Sequence, residues 1–258
     1  MEKKGQITVF IIVGIIMLGL AGGIFFLTKY TATKDLETEI PSQLPIASIS
    51  SFTQSCIERI AKEAVAQNGV QGGYFEPPPE YVEVANLKIP YFYDGKNDAT
   101  PPSRTLQKEL AKNVQRNLNN CLQDFSFIKD QGYTVETGPI QSDIIFGDSI
   151  FFDFTFPVTI SAETTSKTID TFSTRVNVNI PKIIDTYEQI IEQQKIKPNF
   201  VMVSYLNDLA LEKEVRIELN YIDGDSVLYT IIDQDSLIDE HPYQFTFAIK
   251  YDWTKEGK

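Results

Sequence analysis

The chain has 258 residues, of which 42% are hydrophobic, so one or two domains with a packed core are expected. Its 35 acidic and 23 basic residues give a net charge of −12, which argues against nucleic-acid binding because phosphate contacts require clustered lysine and arginine. Two cysteines and one histidine are too few for a zinc site with four cysteine or histidine ligands.

The segment Ile7–Leu27, ITVFIIVGIIMLGLAGGIFFL, contains no charged residue. As a helix it would be about 31 Å long, which matches a hydrocarbon core of about 30 Å. A secretory signal peptide has a shorter apolar region, so we expect a retained transmembrane helix over residues 6–28. Lys3 and Lys4 precede it, which favours a cytoplasmic N-terminus, an extracellular C-terminal domain, a single-pass location in the cell membrane and membrane lipid as a partner.

The first ten residues, MEKKGQITVF, place a short basic stretch and a glycine before a glutamine that opens the apolar helix. This pattern resembles the class III signal peptide of archaeal type IV pilin-like proteins. The resemblance implies a leader over residues 1–5, cut between Gly5 and Gln6 by a prepilin-type peptidase, and an apolar helix that self-associates into a filament. Phe10 takes the fifth mature position, where bacterial pilins usually carry glutamate. The alternative is an uncut signal anchor whose lysines only set topology.

The residues after the apolar run are typical of a stalk. Residues 29–50 mix charged residues, threonine and serine with Pro41 and Pro45, which prevent one helix from running unbroken into the folded part. Pilins often continue the anchor helix into the head, so the break at Pro41 departs from that family. We expect the extracytoplasmic domain to cover residues 51–258.

Two amphipathic helices are predicted at the start of this domain, over residues 52–68, with Gly69 in a left-handed C-terminal position, and over residues 104–125. Cys56 and Cys121 lie on one helix each. In an exported chain two cysteines offer one intramolecular pairing, so we expect a Cys56–Cys121 disulfide that clamps the helix pair. The alternative is a pair of buried free thiols in a reducing compartment.

The second half of the chain alternates between strand and helix periodicity. The predicted elements are a strand or hairpin over 81–94, antiparallel strands with one wet face over 144–163 and 168–180, helices over 181–194 and 202–211, a hairpin over 215–233 and a last strand over 243–253. The predicted fold is therefore α+β: a helix pair, a mainly antiparallel sheet, and one or two further helices against it.

The chain also resembles a group of archaeal membrane-anchored proteins for which no activity is established. The resemblance lies in KKGQITVF, in a cysteine-bearing helix that leads to VQGGYF, in a helix that ends NNCLQDF, and in DSIFFDFTFPVTI followed by TFSTRVNV. It implies export and a similar fold.

Few residues point to chemistry. His241 precedes a predicted strand, and we expect it in a surface turn rather than in a catalytic site. Carboxylates recur around YDGKND, DGDS and DQD, where they suit calcium or, as we expect, ordinary turns; these residues are Asp94, Asp98, Asp223, Asp225, Asp233 and Asp235. We therefore assign no catalytic residue, no metal and no cofactor, and expect a protein that is not an enzyme.

A cluster of five aromatic residues between positions 74 and 93 is a candidate binding surface for a sugar or a protein: Tyr74, Tyr81, Tyr91, Phe92 and Tyr93. The alternative is that these side chains cover the helix pair. The sequence thus predicts an extracellular, membrane-anchored, pilin-like structural subunit of an archaeal surface filament or cell envelope. The alternative function is a monomeric anchored receptor or adhesin that binds a sugar or protein.

Overall fold

The computed structural model describes residues 44–253, apart from Asp223 and the side chain of Asp124. The predicted leader, the Gly5–Gln6 cut, the apolar helix and the stalk up to residue 43 lie outside these residues. Within the described part of the chain, no helix has the length and apolar character needed to cross a membrane. The described residues from Pro45 onward belong to one unit, an α+β domain.

The four predicted helices are present, with shifted ends: α1 (Ile46–Val70), α2 (Ser103–Leu122), α4 (Ile180–Ile196) and α5 (Val203–Glu212). A 3₁₀ turn over Gln123–Phe125 and a short helix, α3 (Ser126–Lys129), follow α2 and were not predicted. Helix α1 begins directly after Pro45, whose carbonyl accepts the first helical hydrogen bond from Ile49 at 3.1 Å. Ile49 is fully buried, so the apolar stripe extends into the last residues of the predicted stalk.

The strands form two sheets instead of the single sheet expected. They are β1 (Tyr81–Val84), β2 (Leu87–Tyr93), β3 (Thr134–Thr137), β4 (Gln141–Phe146), β5 (Ile150–Ala162), β6 (Thr165–Val176), β7 (Arg216–Ile222), β8 (Ser226–Ile238) and β9 (His241–Lys250). The first sheet has the order β1-β2-β9-β8-β7, and only its β2–β9 pair is parallel. In the second sheet β5 pairs with β6 and with β3 and β4, all antiparallel.

Helix α1 contacts one strand of each sheet. It packs against β6 of the second sheet and β9 of the first, and it lies along α2. Gln54 on α1 donates a hydrogen bond to the carbonyl of Ser173 on β6 at 3.0 Å, which satisfies an acceptor of that edge strand. The strands of the two sheets therefore pack around one helix rather than pairing with each other.

The expected Cys56–Cys121 disulfide is confirmed. It joins α1 to α2, with the two Cα atoms 5.9 Å apart. Both of the chain's cysteines are thus oxidised, and the alternative of two free thiols is wrong. The bond closes a long loop that contains β1 and β2, so it ties distant parts of the chain to one helix pair.

The prediction for Gly69 is wrong. This glycine lies inside α1, and the positive φ angles belong to Gly72 at +63° and Gly73 at +82°. A Cβ atom at Gly69 would lie 2.4 Å from the carbonyl oxygen of Gln244 and 2.8 Å from the ring of Tyr243. The glycine is therefore required by the close approach of α1 to β9, which a local turn signal does not reveal.

Helix α4 packs on the first sheet through Tyr187. Asn179 caps the helix by accepting a hydrogen bond from the Lys182 amide at 3.0 Å, and Pro181 lies in the first turn as expected. The Tyr187 ring contacts the rings of Phe92 and Phe245, with centroids 5.3 and 5.4 Å apart. These aromatic contacts fix α4 over the centre of the sheet.

Replacing both cysteines, as Cys56→Ala with Cys121→Ala, should lower the free energy of unfolding by roughly 4 kcal/mol, because the disulfide closes a long loop in the unfolded chain. Denaturant titration of the oxidised protein and of the variant measures this. Adding a thiol reductant should destabilise the parent and leave the variant unchanged. Equal stability of the two oxidised proteins would contradict the prediction.

Gly69→Ala should destabilise the domain by about 1–3 kcal/mol, although alanine is the better helix former, because its methyl group overlaps the Gln244 carbonyl. Gly147→Ala is the matched control, since a Cβ there meets nothing closer than 3.6 Å. Thermal and denaturant unfolding should show a loss for the first variant and little change for the second. A stabilised Gly69→Ala protein would exclude this close contact.

Candidate functional site

A cleft of about 810 Å³ lies at one edge of the first sheet. Because β2 and β9 are parallel, their carboxyl ends meet at this edge, and β8 begins there beside the end of β9. Clefts at the carboxyl ends of parallel strands are a common place for ligands. We call this cavity the β2–β9 cleft.

One wall is the loop that follows β2. Asp94 accepts hydrogen bonds from the amides of Lys96 and Asn97 at 2.9 and 2.6 Å and from the Asn97 side chain at 2.7 Å. Burial raises the pKa of Asp94, but these hydrogen bonds outweigh it and hold the pKa below its usual value. The ionised carboxylate of Asp94 therefore holds the loop in its turn.

A lysine of α4 holds the same loop from outside the cleft. Lys195 lies 2.6 Å from the carboxylate of Asp98 and 2.6 Å from that of Glu192. Hydrogen bonds to these two carboxylates raise the pKa of Lys195 well above its usual range. This wall is thus linked to the helix that packs on the sheet.

The opposite wall is the turn between β7 and β8, where Asp225 faces the cleft. Its carboxylate accepts a hydrogen bond from Ser226 at 2.9 Å and lies 3.4 Å from the ammonium of Lys250. The Ser226 hydroxyl is also within 2.8 Å of the Tyr91 hydroxyl. This chain of contacts connects Asp225 across the strands to β2.

The floor of the cleft is formed by aromatic residues at the end of β9. Tyr251 is buried, and its hydroxyl donates to the side-chain carbonyl of Gln194 on α4 at 2.9 Å and contacts the hydroxyl of Tyr229. Burial raises the pKa of Tyr229 to about 12 and raises that of Tyr251 further. Both hydroxyl groups therefore remain neutral and serve as hydrogen-bonding groups.

The chain's single tryptophan, Trp253, lies on this floor. Its ring stacks on that of Tyr251, with the centroids 4.5 Å apart and an angle of 4° between the planes. The tryptophan is only half-buried, so part of its indole faces the cleft. The cleft thus combines an aromatic surface with hydrogen-bonding groups and charges of both signs.

The structure separates the five aromatic residues proposed from sequence. Phe92 and Tyr93 are buried in the core and cannot contact a ligand from solvent. Phe92 packs against α4 rather than against the helix pair, which differs from the covering role considered above. Tyr91 lines the β2–β9 cleft, whereas Tyr81 lies in a second cavity with the prolines of residues 77–79, and Tyr74 is half-buried near Glu109.

The carboxylate clusters serve different purposes. Asp233 on β8 is buried and lies 2.9 Å from the ammonium of Lys182 on α4, and Ser236 donates to its other oxygen at 2.6 Å, so this ion pair joins α4 to the first sheet. Asp94 and Asp225 lie in turns on opposite walls of the cleft, and Asp223 is not described. Within the described residues, no group of three or more histidine, cysteine or acidic side chains could hold a metal ion.

His241 is exposed at the first position of β9, after a tight turn in which Asp239 and Glu240 both have positive φ. It lines a smaller cavity of about 310 Å³ beside α1, where Lys62 and Asp239 form an ion pair at 2.8 Å. This position is consistent with a surface-turn histidine.

The residues that make the cleft distinctive were not singled out by sequence reasoning. Trp253, Tyr251 and Lys250 lie at the end of the last strand, and Asn199 follows α4. The sequence signal that could have indicated this cleft is the single tryptophan, which directly follows an apolar strand. No protein-family model, curated protein or solved structure matches this chain.

Tyr251→Phe should lower the free energy of unfolding by about 1–3 kcal/mol, because the buried Gln194 carbonyl loses its tyrosine donor. Tyr221→Phe, at a tyrosine that is 66% exposed, removes the same atom from the surface and should change stability by less than about 0.5 kcal/mol. Denaturant unfolding of both variants tests the difference. Equal effects would show that the buried hydroxyl network does not stabilise the cleft floor.

Proposed function

We propose that this protein is a membrane-anchored extracytoplasmic structural subunit, similar to archaeal type IV pilins, that displays its α+β domain at the cell surface. The observation that carries the proposal is the Cys56–Cys121 disulfide, because stable disulfides are characteristic of oxidising compartments outside the cytoplasm. The uncharged segment Ile7–Leu27 is long enough to span a bilayer and would serve as the membrane anchor of the exported domain.

The leader supports processing by a prepilin-type peptidase. Lys3, Lys4 and Gly5 precede Gln6 in the arrangement that resembles a class III signal, and the apolar helix would remain after the cut. The mature subunits would then associate through this helix into a filament or an envelope layer. In this role the folded domain acts as a displayed head and not as an enzyme.

Intact mass and N-terminal sequence of the protein purified from native membranes test the processing step. We expect a mature chain that begins at Gln6. Gly5→Val should leave the leader in place, since the glycine precedes the cut, whereas Gly14→Val inside the apolar run should still be processed. A wild-type chain that retains MEKKG would overturn the pilin-like processing and leave an uncut anchor.

Assembly is tested separately by shearing cells and sizing the released material. A filament subunit should appear in high-mass polymers that depend on an intact cleavage site. Recovery only as a detergent-soluble monomer would favour the alternative, an anchored receptor or adhesin. An amine-reactive reagent that cannot cross membranes should label exposed lysines of the domain on intact cells in either case, and labelling only after lysis would contradict the extracellular location.

A further inference from the structure

The β2–β9 cleft has the dimensions and lining of a ligand site rather than of a packing defect. Its volume of about 810 Å³ falls in the range of about 300–1,000 Å³ typical of small-molecule pockets. By contrast, the gap where the helix pair meets the two sheets measures only about 20 Å³. The cleft is open to solvent along a wall of polar side chains and has an aromatic floor.

We propose that the β2–β9 cleft binds a neutral saccharide, with a sugar ring against the open part of Trp253 and sugar hydroxyls hydrogen-bonded to Asp225 and its neighbours. This inference goes beyond the structural role proposed above and requires neither filament assembly nor cleavage of the leader. It places recognition at the end of the last strand instead of at the tyrosines considered from sequence.

The aromatic floor favours a ligand with weakly polar C–H faces. The π-system of tryptophan carries negative charge on its face and therefore attracts groups whose edges are positive, such as the C–H groups of a sugar ring. Stacking on Tyr251 covers one side of the Trp253 indole and fixes its orientation. Because Gln194 and Tyr229 in turn hold the Tyr251 hydroxyl, the platform is organised before a ligand arrives.

The polar walls favour hydroxyl groups as partners. A hydroxyl both donates and accepts, so it can donate to the carboxylate of Asp225 and accept from the ammonium of Lys250. Asn97 and Asn199 add amide groups of both kinds on the lining of the cleft. The buried Ser226 donates to Asp225 and in turn contacts Tyr91, which also lines the cleft, so Asp225 is held in place by the hydrogen bonds described above.

The charge of the lining disfavours the main competing ligands. Four acidic side chains and two lysines line the cleft, namely Glu80, Asp94, Asp225, Asp252, Lys96 and Lys250. Even without Asp252, which has other contacts, three carboxylates and two lysines line the cleft, and this balance disfavours phosphate and other anions. The described residues offer no cluster of ligands for a metal ion. A neutral polar ligand satisfies both signs without a net electrostatic cost.

The single tryptophan makes the test direct. The full-length protein is purified in a detergent without a sugar headgroup, and the Trp253 emission is followed during titration with neutral trisaccharides: maltotriose, cellotriose, mannotriose and chitotriose. We expect a saturable change in emission with at least one of them, whereas trigalacturonic acid, which is anionic, should bind about tenfold more weakly or worse. Failure of all four neutral probes would overturn the proposal.

Variants then locate the binding. By calorimetry, Trp253→Ala and Asp225→Asn should each weaken binding of the responding sugar about tenfold or more. Phe151→Ala, at an aromatic residue 44% exposed on the second sheet, is the control and should bind like the parent. The variants must keep the parent's disulfide and thermal unfolding. Unchanged affinity in both cleft variants, or an emission change produced by calcium alone and by no sugar, would overturn the proposal.

Discussion

Helix α1 is the element on which the rest of the described domain depends, and the disulfide fixes its position. Cys56 joins it covalently to α2. Its side at Gln54 contacts β6 of the second sheet, and its C-terminal turn at Gly69 contacts β9 of the first sheet. At Gly69 the helix approaches the backbone of Gln244 too closely for any side chain. Because β9 is a central strand of the first sheet, this contact also fixes where the remaining strands of that sheet can lie.

The parallel pairing of β2 with β9 has a direct consequence for the cleft. In an antiparallel pair the loop after β2 would lie at the opposite edge from Tyr251, whereas the parallel pair brings them together. Stacked rings across the sheet support this pairing. The ring centroids of Phe92 and Phe247 are 4.7 Å apart, and those of Phe247 and Tyr229 are 5.4 Å apart. The packing of these rings and the position of the cleft therefore both depend on the parallel pairing of β2 with β9.

Local features of the fold were predictable from the sequence, because they are encoded by neighbouring residues. Helical spacing located α1, α2, α4 and α5, and the cysteine count gave the disulfide. Strand patterns located β5 to β9, but they merged the end of β4 with β5 and missed β3. The first hairpin also lies where the aromatic segment predicted it.

The long-range features were not predictable in this way. Tyr91 pairs with Ala248, more than 150 residues away, and no periodicity within either segment specifies that partner. For the same reason the division into two sheets, the close contact at Gly69 and the cleft around Trp253 were missed. The sequence of β2 alternates only in part, because apolar residues cover both faces of the sheet there: Phe92 faces α4, while Ile89 packs with Leu228 and Ala248.

The distribution of charge bears on how such a domain would be displayed. Several carboxylates are neutralised by lysines that join elements, as in the contacts of Asp233 with Lys182, Asp98 with Lys195 and Asp185 with Lys213. With 35 acidic and only 23 basic residues in the chain, a negative surplus must still remain. Domains that carry the same net charge repel one another. In a filament or envelope layer of the kind proposed, cohesion would therefore have to come from the apolar segment Ile7–Leu27.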